Sequence, residues 1–183
     1  MPMIDINGSG LHFDRSGRGP AMLFVHGAFG DAENWADQAE RLADQSTCVR
    51  YDRRGHSRSA RGYVPISTAQ HADDAAALIE ALDLMPCLVV GSSSGGVIAV
   101  DLALRYGSLL RGVVLSEPPL FSLDPAGAEA AMSELVPRIE AARTSGGPRA
   151  AVDAFASFAF PEGWAMLAEE RRNRLRDNAE IGF

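Results

Sequence analysis

A short run of small residues, GSSSGG at positions 91–96, carries the clearest chemical signal in the sequence. It follows an apolar segment typical of a β-strand, PCLVV, and precedes one typical of a helix, VIAVDLAL. Such a run can bind a phosphate, form a flexible loop, or hold a nucleophilic serine in a tight turn. The chain contains no lysine, so the lysine of a nucleotide-binding P-loop and Schiff-base catalysis are both excluded.

The spacing of the glycines favours the nucleophile. Residues 91–95 fit G-x-S-x-G in one register only, with Ser93 at the centre. A nucleophile on a sharp strand-to-helix turn has a strained backbone, and side chains at the two flanking glycine positions would collide with their surroundings. Such a turn lies at the C-terminal edge of an open α/β sheet, where ligands bind.

Two further motifs follow predicted strands. HGAFG, residues 26–30, comes after AMLFV, and YDRRGHSRS, residues 51–59, begins at the end of the next apolar segment. As a set, in order and approximate spacing, these motifs and the serine-glycine turn resemble the α/β-hydrolase superfamily. The resemblance covers about residues 10–120.

The resemblance implies a role for each matching residue. Ser93 corresponds to the nucleophile, and the backbone N–H groups of Ser94 and Ala28 correspond to the oxyanion hole. Gly27 is a nearby competitor of Ala28 for the second donor. The resemblance also implies that His26 and His56 brace their loops and do not act as the general base.

The sequence offers no candidate for the general base of this catalytic site. A serine nucleophile needs a base, and the base needs an acid, which α/β-hydrolases place in the order serine, acid, histidine. No histidine follows His71, and His12 and His71 are interpreted as surface or hydrogen-bonded residues. Three explanations stay open: a fragment of a longer enzyme, a nicked enzyme, or a member without a triad. In the first two, a C-terminal segment beyond Phe183 or a second polypeptide supplies the histidine.

A candidate acid is present. LSEPPL places Glu117 directly after the predicted sixth strand, 24 residues beyond Ser93. Most superfamily members take the acid from the loop after the seventh strand, but a minority take it from the sixth. In the zearalenone-type lactone hydrolases among that minority, a His-Glu-x-Pro segment occurs at similar spacing, and Ser116 replaces its histidine here. The alternative is a solvated glutamate at a pocket rim, stiffened by Pro118 and Pro119.

The elements that position these residues alternate between strand and helix, which predicts an α/β fold with a mostly parallel sheet covered on both faces. An Asn-Gly turn at residues 7–8 predicts an antiparallel hairpin at the start. Asp31 is a predicted N-cap, and Ser67 or Thr68 is predicted to cap a helix that runs to about Leu84. The helix after the serine turn is predicted to end at Tyr106, closed by Gly107.

The chain divides into two predicted regions. Residues 1–120 form the N-terminal part of an α/β-hydrolase core, and residues 121–183 form a helical cap interrupted by SGGP at 145–148. The closing strands and the histidine loop lie outside this chain. Among the aromatic residues of the cap region, Trp164 is predicted to face the cleft and bind an apolar, aromatic-tolerant substrate.

Composition narrows the classes of partner. The net charge is −7 and the arginines are dispersed, so no basic patch predicts binding to nucleic acid. The N-terminus lacks the basic and apolar regions of a signal peptide, and no apolar run is long enough to span a membrane, which predicts a cytoplasmic protein. Cys48 and Cys87 lie in apolar segments and are predicted to be buried free thiols.

These observations predict a serine hydrolase without cofactor or metal that cleaves a small-molecule ester or lactone through an acyl-enzyme on Ser93. Two alternatives stay open. One is another reaction on the same scaffold, such as C–C bond hydrolysis or perhydrolysis. The other is a ligand-binding protein that retains the cleft and has lost catalysis.

Overall fold

The computed structural model describes residues 2–61 and 66–182. Within them, one six-stranded sheet has the order β1-β2-β4-β3-β5-β6. Strands β3 to β6 are parallel, whereas β1 and β2 form an antiparallel hairpin at one edge. The strands are β1 (Met3–Ile6), β2 (Ser9–Ser16), β3 (Ala21–Val25), β4 (Thr47–Tyr51), β5 (Cys87–Ser92) and β6 (Leu110–Ser116).

Helices alternate with the parallel strands. A 3₁₀ turn, Ala32–Trp35, leads into the first helix, and a second 3₁₀ turn, Gly107–Leu109, precedes β6. The helices of this part are α1 (Ala36–Leu42), α2 (Thr68–Ala81) and α3 (Ser94–Tyr106). The predicted α/β class, with a mostly parallel sheet, is confirmed.

The central strands bury both faces. Leu23 and Val25 of β3 point into a large cluster with residues of α2 and α3, and each is 0% exposed. Met22 and Phe24 point to the opposite face and pack with Ala39 of α1. This alternation follows from the two-residue period of a strand, and it explains why such strands are apolar on every residue. Cys48 and Cys87 are buried free thiols, as predicted.

Turn and cap residues follow the sequence signals closely at several places. Asn7 and Gly8 have φ values of 52° and 72°, the positive values that a tight hairpin turn requires. The Asp31 carboxylate accepts a hydrogen bond from the Glu33 N–H at 3.0 Å, as an N-cap does. At the start of α2, the Ser67 hydroxyl accepts one from the Gln70 N–H at 3.1 Å.

One predicted helix end is wrong, and another is confirmed. Helix α2 ends at Ala81 instead of Leu84, because Asp83 turns into the left-handed region with a φ of 53°. Helix α3 ends at Tyr106 with Gly107 as its C-cap, as predicted. The φ of Gly107 is −54°, and the chain continues from it into the 3₁₀ turn that precedes β6.

The chain forms two compact units, Met1–Pro119 and Leu120–Phe183. The second unit is helical, with a 3₁₀ turn Phe121–Leu123 and the helices α4 (Pro125–Ala159), α5 (Pro161–Met166), α6 (Glu169–Asp177) and α7 (Ala179–Gly182). Helix α4 is broken at Gly147, whose φ is 75°, directly before Pro148. The predicted interruption at residues 145–148 is therefore confirmed. Among the described residues, no helix has the length and apolarity needed to cross a membrane.

The buried Asp52 carboxylate pairs with Arg58 of its own loop and joins that loop, after β4, to the turn after β3. The Asp52 side chain is 0% exposed and accepts hydrogen bonds from Arg58 Nε at 2.7 Å and Nη2 at 3.0 Å. It also accepts one from the Ala32 N–H at 2.8 Å. Burial acts to raise the pKa of Asp52, but these hydrogen bonds outweigh it and hold the pKa below its ordinary value.

We expect Asp52→Asn to lower the free energy of unfolding by about 2 kcal/mol at neutral pH, because it removes the buried charge that accepts hydrogen bonds from Arg58 and from the Ala32 N–H, while Arg58 keeps its contact with Glu33. The difference in the free energy of unfolding between wild type and the variant should have its full size above pH 3.8, the ordinary carboxyl pKa. It should disappear as the pH falls through the lower pKa that Asp52 has in the folded protein. Urea unfolding at several pH values measures it.

The control is Asp101→Asn, which removes a carboxylate from the solvent-exposed pair that Asp101 forms with Arg105 at 2.7 Å. Water screens that pair, so its loss should change stability far less. Equal effects of the two substitutions would show that Asp52 has no special place in the loop.

Candidate active site

Ser93 occupies the turn between β5 and α3. Its φ of 52° and ψ of −124° lie in a region that a residue with a side chain rarely adopts. The Ser93 N–H donates to the Ser116 carbonyl at 2.9 Å, and the Ser93 carbonyl accepts from the Gly96 N–H at 2.8 Å. The turn is thus held from both sides, by β6 and by the first turn of α3.

The glycines around Ser93 are required by close backbone contacts. A Cβ on Gly91 would lie 2.4 Å from the Gly95 carbonyl oxygen, and a Cβ on Gly95 would lie 2.3 Å from that of Val25. Both distances are shorter than any contact a side chain tolerates. The collision that the sequence predicts at the two flanking positions is therefore confirmed.

The HGAFG turn lies against the nucleophile. A Cβ on Gly27 would be 3.2 Å from Ser93 Cβ and 3.8 Å from Ser93 Oγ. Ala28, the next residue, is half-buried, and its N–H donates to no acceptor within the described part of the chain. The Ser94 N–H is the first amide of α3 and has no intrahelical acceptor. Both amides are placed near the nucleophile, and their role as the oxyanion hole stays a prediction.

The Ser94 side chain was not assigned a role from the sequence. Its Oγ is buried and has no hydrogen-bond partner among the described residues. Buried hydroxyl groups normally form a hydrogen bond. The Ser94 hydroxyl, one residue after the nucleophile, is an exception to this rule in the turn between β5 and α3.

His26 is buried and serves as a brace. Its Nε2 accepts from the Arg53 N–H at 3.0 Å, so the ring proton is on Nδ1, which donates to the Gly27 carbonyl at 2.9 Å. Burial, and then the Arg53 charge, lower the pKa of His26 well below its ordinary value.

His56 has the same tautomer. Its Nδ1 donates to the Arg54 carbonyl at 3.0 Å, and its Nε2 accepts from Arg53 Nη2 at 3.2 Å. Burial and the Arg53 charge lower its pKa to about 3. In both rings Nε2 is engaged and the ring is neutral, so neither side chain is free to take a proton from Ser93. The predicted bracing roles are confirmed.

The other two histidines are buried as well. His71 is 6% exposed, and burial followed by the charges of Arg53 and Arg54 lowers its pKa to about 3. His12 is 1% exposed, and neither ring nitrogen has a hydrogen-bond partner among the described residues. The nearest carboxylate, that of Asp52, lies 3.8 Å from Nδ1. A surface position is wrong for both residues, and a hydrogen-bonded ring is wrong for His12.

Glu117 directly follows the last residue of β6, next to the turn that holds Ser93. It follows Ser116, which is the register partner of Ser92 and accepts the Ser93 N–H. Glu117 is exposed and has a φ of 49°, so two residues with side chains adopt positive φ values on neighbouring strand ends. Strained residues of this kind cluster at functional sites. The acid role of Glu117 stays a prediction.

Trp164 lies in α5 of the second unit and is 7% exposed. The ring of Phe160 meets it edge-on at 6.1 Å, and the guanidinium groups of Arg172 and Arg176 lie over its ring at 5.7 and 5.6 Å. These contacts are internal to the second unit. Binding of substrate by Trp164 stays a prediction.

Arg53 is the residue that the sequence interpretation missed. Its side chain is only 4% exposed, although arginine is seldom buried. Nη2 donates to the Gly27 carbonyl at 2.9 Å and to His56. The sequence signal that could have found it is its position: it follows the apolar strand TCVRY and the motif residue Asp52, at the edge of the sheet where the site lies.

Comparison with known proteins agrees with this geometry. Residues 20–143 match the family model of the alpha/beta hydrolase fold. The uncharacterized hydrolase YraK of Bacillus subtilis is 39% identical over 122 residues, which are 66% of this chain and 45% of that protein. The putative carbamate hydrolase RutD of Agrobacterium fabrum is 32% identical over 179 residues, 92% of this chain and 64% of that protein.

Solved structures show the same architecture. The crystal structure of an alpha/beta hydrolase from Sphaerobacter thermophilus superimposes with a TM-score of 0.76 and 26% identity, over 99% of this chain and 70% of that one. The two sequence relatives are longer than this chain, which covers less than two thirds of the length of each. The matched family model extends over both the nucleophile turn and the HGAFG turn, and the chain belongs to the α/β-hydrolase fold family.

Proposed function

We propose that this protein is a serine hydrolase that cleaves an ester or lactone in a small molecule through an acyl-enzyme on Ser93. The observation that carries the proposal is the strained Ser93 backbone, enclosed by Gly91 and Gly95 and lying against Gly27. A flexible loop would not need these contacts. Two relatives with hydrolase names, one of them a putative carbamate hydrolase, support attack on an acyl carbonyl.

The proposed reaction has two stages. Ser93 Oγ loses its proton to a base and attacks the carbonyl carbon, and the carbonyl oxygen becomes an oxyanion that accepts from the Ala28 and Ser94 N–H groups. The intermediate collapses, the C–O bond to the alcohol breaks, and the protonated base gives its proton to the leaving oxygen. Water then hydrolyses the acyl-enzyme by the same route and frees Ser93.

The base is proposed to lie outside residues 1–183. All four histidines of this chain are buried, and burial lowers the pKa of each. The chain covers 45% and 64% of two relatives, so a histidine from a further part of the protein fits the proposal. Activity is therefore best measured on the protein as its gene encodes it.

Glu117 is proposed as the acid that holds this histidine in the correct tautomer. The support is its place one residue after Ser116, which contacts the nucleophile through the backbone. Trp164 is proposed to give the substrate site an apolar, aromatic character. Because none of the four buried histidines can serve as the base, one competing function is favoured, that of a ligand-binding protein without catalysis. The next experiment separates this function from that of a serine hydrolase.

We expect a fluorophosphonate probe to label the protein at Ser93, because a serine in this turn is activated when its base is present. Ser93→Ala should abolish both labelling and the hydrolysis of p-nitrophenyl acetate. Mass spectrometry of the labelled peptide identifies the modified residue.

Ser92→Ala is the matched control, since Ser92 is the last residue of β5 and should keep most of the labelling. Labelling that persists in Ser93→Ala would contradict the nucleophile assignment. An unlabelled wild-type protein that still binds ester analogues would support the non-catalytic alternative.

We expect Glu117→Gln to lower kcat by about 100-fold or more with KM nearly unchanged, because the substitution keeps the shape of the acid and removes the charge that stabilises an imidazolium. Steady-state kinetics with p-nitrophenyl acetate measure both constants. Glu80→Gln, at an exposed position of α2, is the control. If kcat falls by less than about tenfold, equivalent to about 1.4 kcal/mol, while KM rises, Glu117 is a glutamate at the rim of the site.

A further inference from the structure

We propose that Arg53 is a positioning residue for the oxyanion hole: its buried guanidinium fixes the Gly27–Ala28 peptide and adds positive charge behind it. This inference rests on the proposed function, since it concerns the transition state formed at Ser93. The argument has three steps, concerning the orientation of the peptide, the unpaired charge, and the contrast with two neighbouring arginines.

The Gly27 carbonyl is the point on which several groups converge. It accepts hydrogen bonds from Arg53 Nη2 at 2.9 Å, from His26 Nδ1 at 2.9 Å and from the Gly30 N–H at 3.2 Å. A rotation of the Gly27–Ala28 peptide would break all three hydrogen bonds together, so these donors fix its orientation.

The direction of that carbonyl determines the direction of the Ala28 N–H. Both belong to one planar peptide, and in a trans peptide the C=O and the N–H point to opposite sides. Donors that hold the Gly27 oxygen on the buried side therefore turn the Ala28 N–H away from them, in the turn that lies against Ser93. They also polarise the peptide, which makes its N–H a stronger donor to an oxyanion.

Arg53 has no anionic partner to neutralise it. Within the described part of the chain it forms no ion pair, and the side-chain groups it contacts are the rings of His26 and His56. Both rings are neutral, because each Nε2 accepts a hydrogen bond. A buried charge without a counter-ion is costly to the folded state, and a positive charge behind the peptide that faces a developing oxyanion favours the transition state.

The two arginines nearest in sequence behave differently. Arg54 Nε donates to Asp74 at 2.7 Å, and Arg58 Nε donates to Asp52 at 2.7 Å. The Arg54–Asp74 pair connects the loop to α2, and Arg58 also contacts Glu33, in the 3₁₀ turn after β3, at 3.2 Å. The loop is therefore anchored by two paired arginines, and the unpaired one, Arg53, faces the peptide beside the nucleophile.

The test compares Arg53→Met with Arg54→Met in the protein as its gene encodes it, with p-nitrophenyl acetate as substrate. Loss of one oriented oxyanion donor costs about 100- to 1,000-fold, and loss of the group that orients it should cost part of that. We expect Arg53→Met to lower kcat by about 10- to 100-fold with KM within about threefold of wild type.

The control separates function from stability. Arg54→Met leaves the buried Asp74 carboxylate without its guanidinium and should lower Tm more than Arg53→Met does, with kcat near that of wild type. Arg53→Lys keeps the charge and should retain more of kcat than Arg53→Met. This variant also provides the answer if Arg53→Met does not fold, since its kcat should then fall below that of Arg54→Met.

The inference is overturned if Arg53→Met keeps kcat within about threefold of wild type, or if kcat and Tm fall together in both methionine variants. Failure of the proposed function gives a different result: wild type itself is not labelled at Ser93, and Ser93→Ala hydrolyses the ester as well as wild type. That result would remove the role of Arg53 together with the role of Ser93.

Discussion

The arrangement of this site depends on one close backbone contact, that between Gly95 at the start of α3 and the end of β3. A Cβ on Gly95 would lie 2.3 Å from the Val25 carbonyl oxygen and 2.6 Å from that of His26. Only a glycine lets the nucleophile turn approach the strand so closely. Because the turn is packed against the chain that begins HGAFG, the nucleophile and the second amide of the proposed oxyanion hole are built on one rigid support rather than on two loops.

The loops around this contact are held by polar groups that the sheet brings together at its C-terminal edge. Strands β3, β4 and β5 are parallel neighbours, so the segments that follow them meet there. Asp52 fixes the loop after β4 to the turn after β3 through Ala32, and Arg53 reaches the Gly27 carbonyl from the same loop. The loop after β4 thus supports the proposed reaction, to which it contributes no reacting atom.

Much of the fold and of the nucleophile turn could be predicted, because these features depend on the types of a few adjacent residues. The hairpin at Asn7, the N-caps at Asp31 and Ser67, and the glycine spacing around Ser93 all follow from what a few adjacent residues can do. The end of α2 at Ala81 was not predicted, because the apolar pattern continues to Leu84, past the left-handed turn at Asp83. The burial of Arg53 and His12 was also beyond local pattern, since arginine and histidine are commonly exposed and only the folded sheet encloses them. The acid, the base and the substrate contact of Trp164 stay predictions.

The neutral state of the buried histidines links the fold to proton uptake. His56 and His71 have pKa values of about 3 when folded, against an ordinary value of 6.5, and the pKa of His26 is also well below that value. The unfolded chain therefore binds these protons between about pH 6.5 and 3, whereas the folded chain does not, and stability falls as the pH decreases through that interval. The lone pairs that receive hydrogen bonds from Arg53 are the ones an acid would protonate. The same cluster that organises the turn beside Ser93 makes the folded protein sensitive to mild acid.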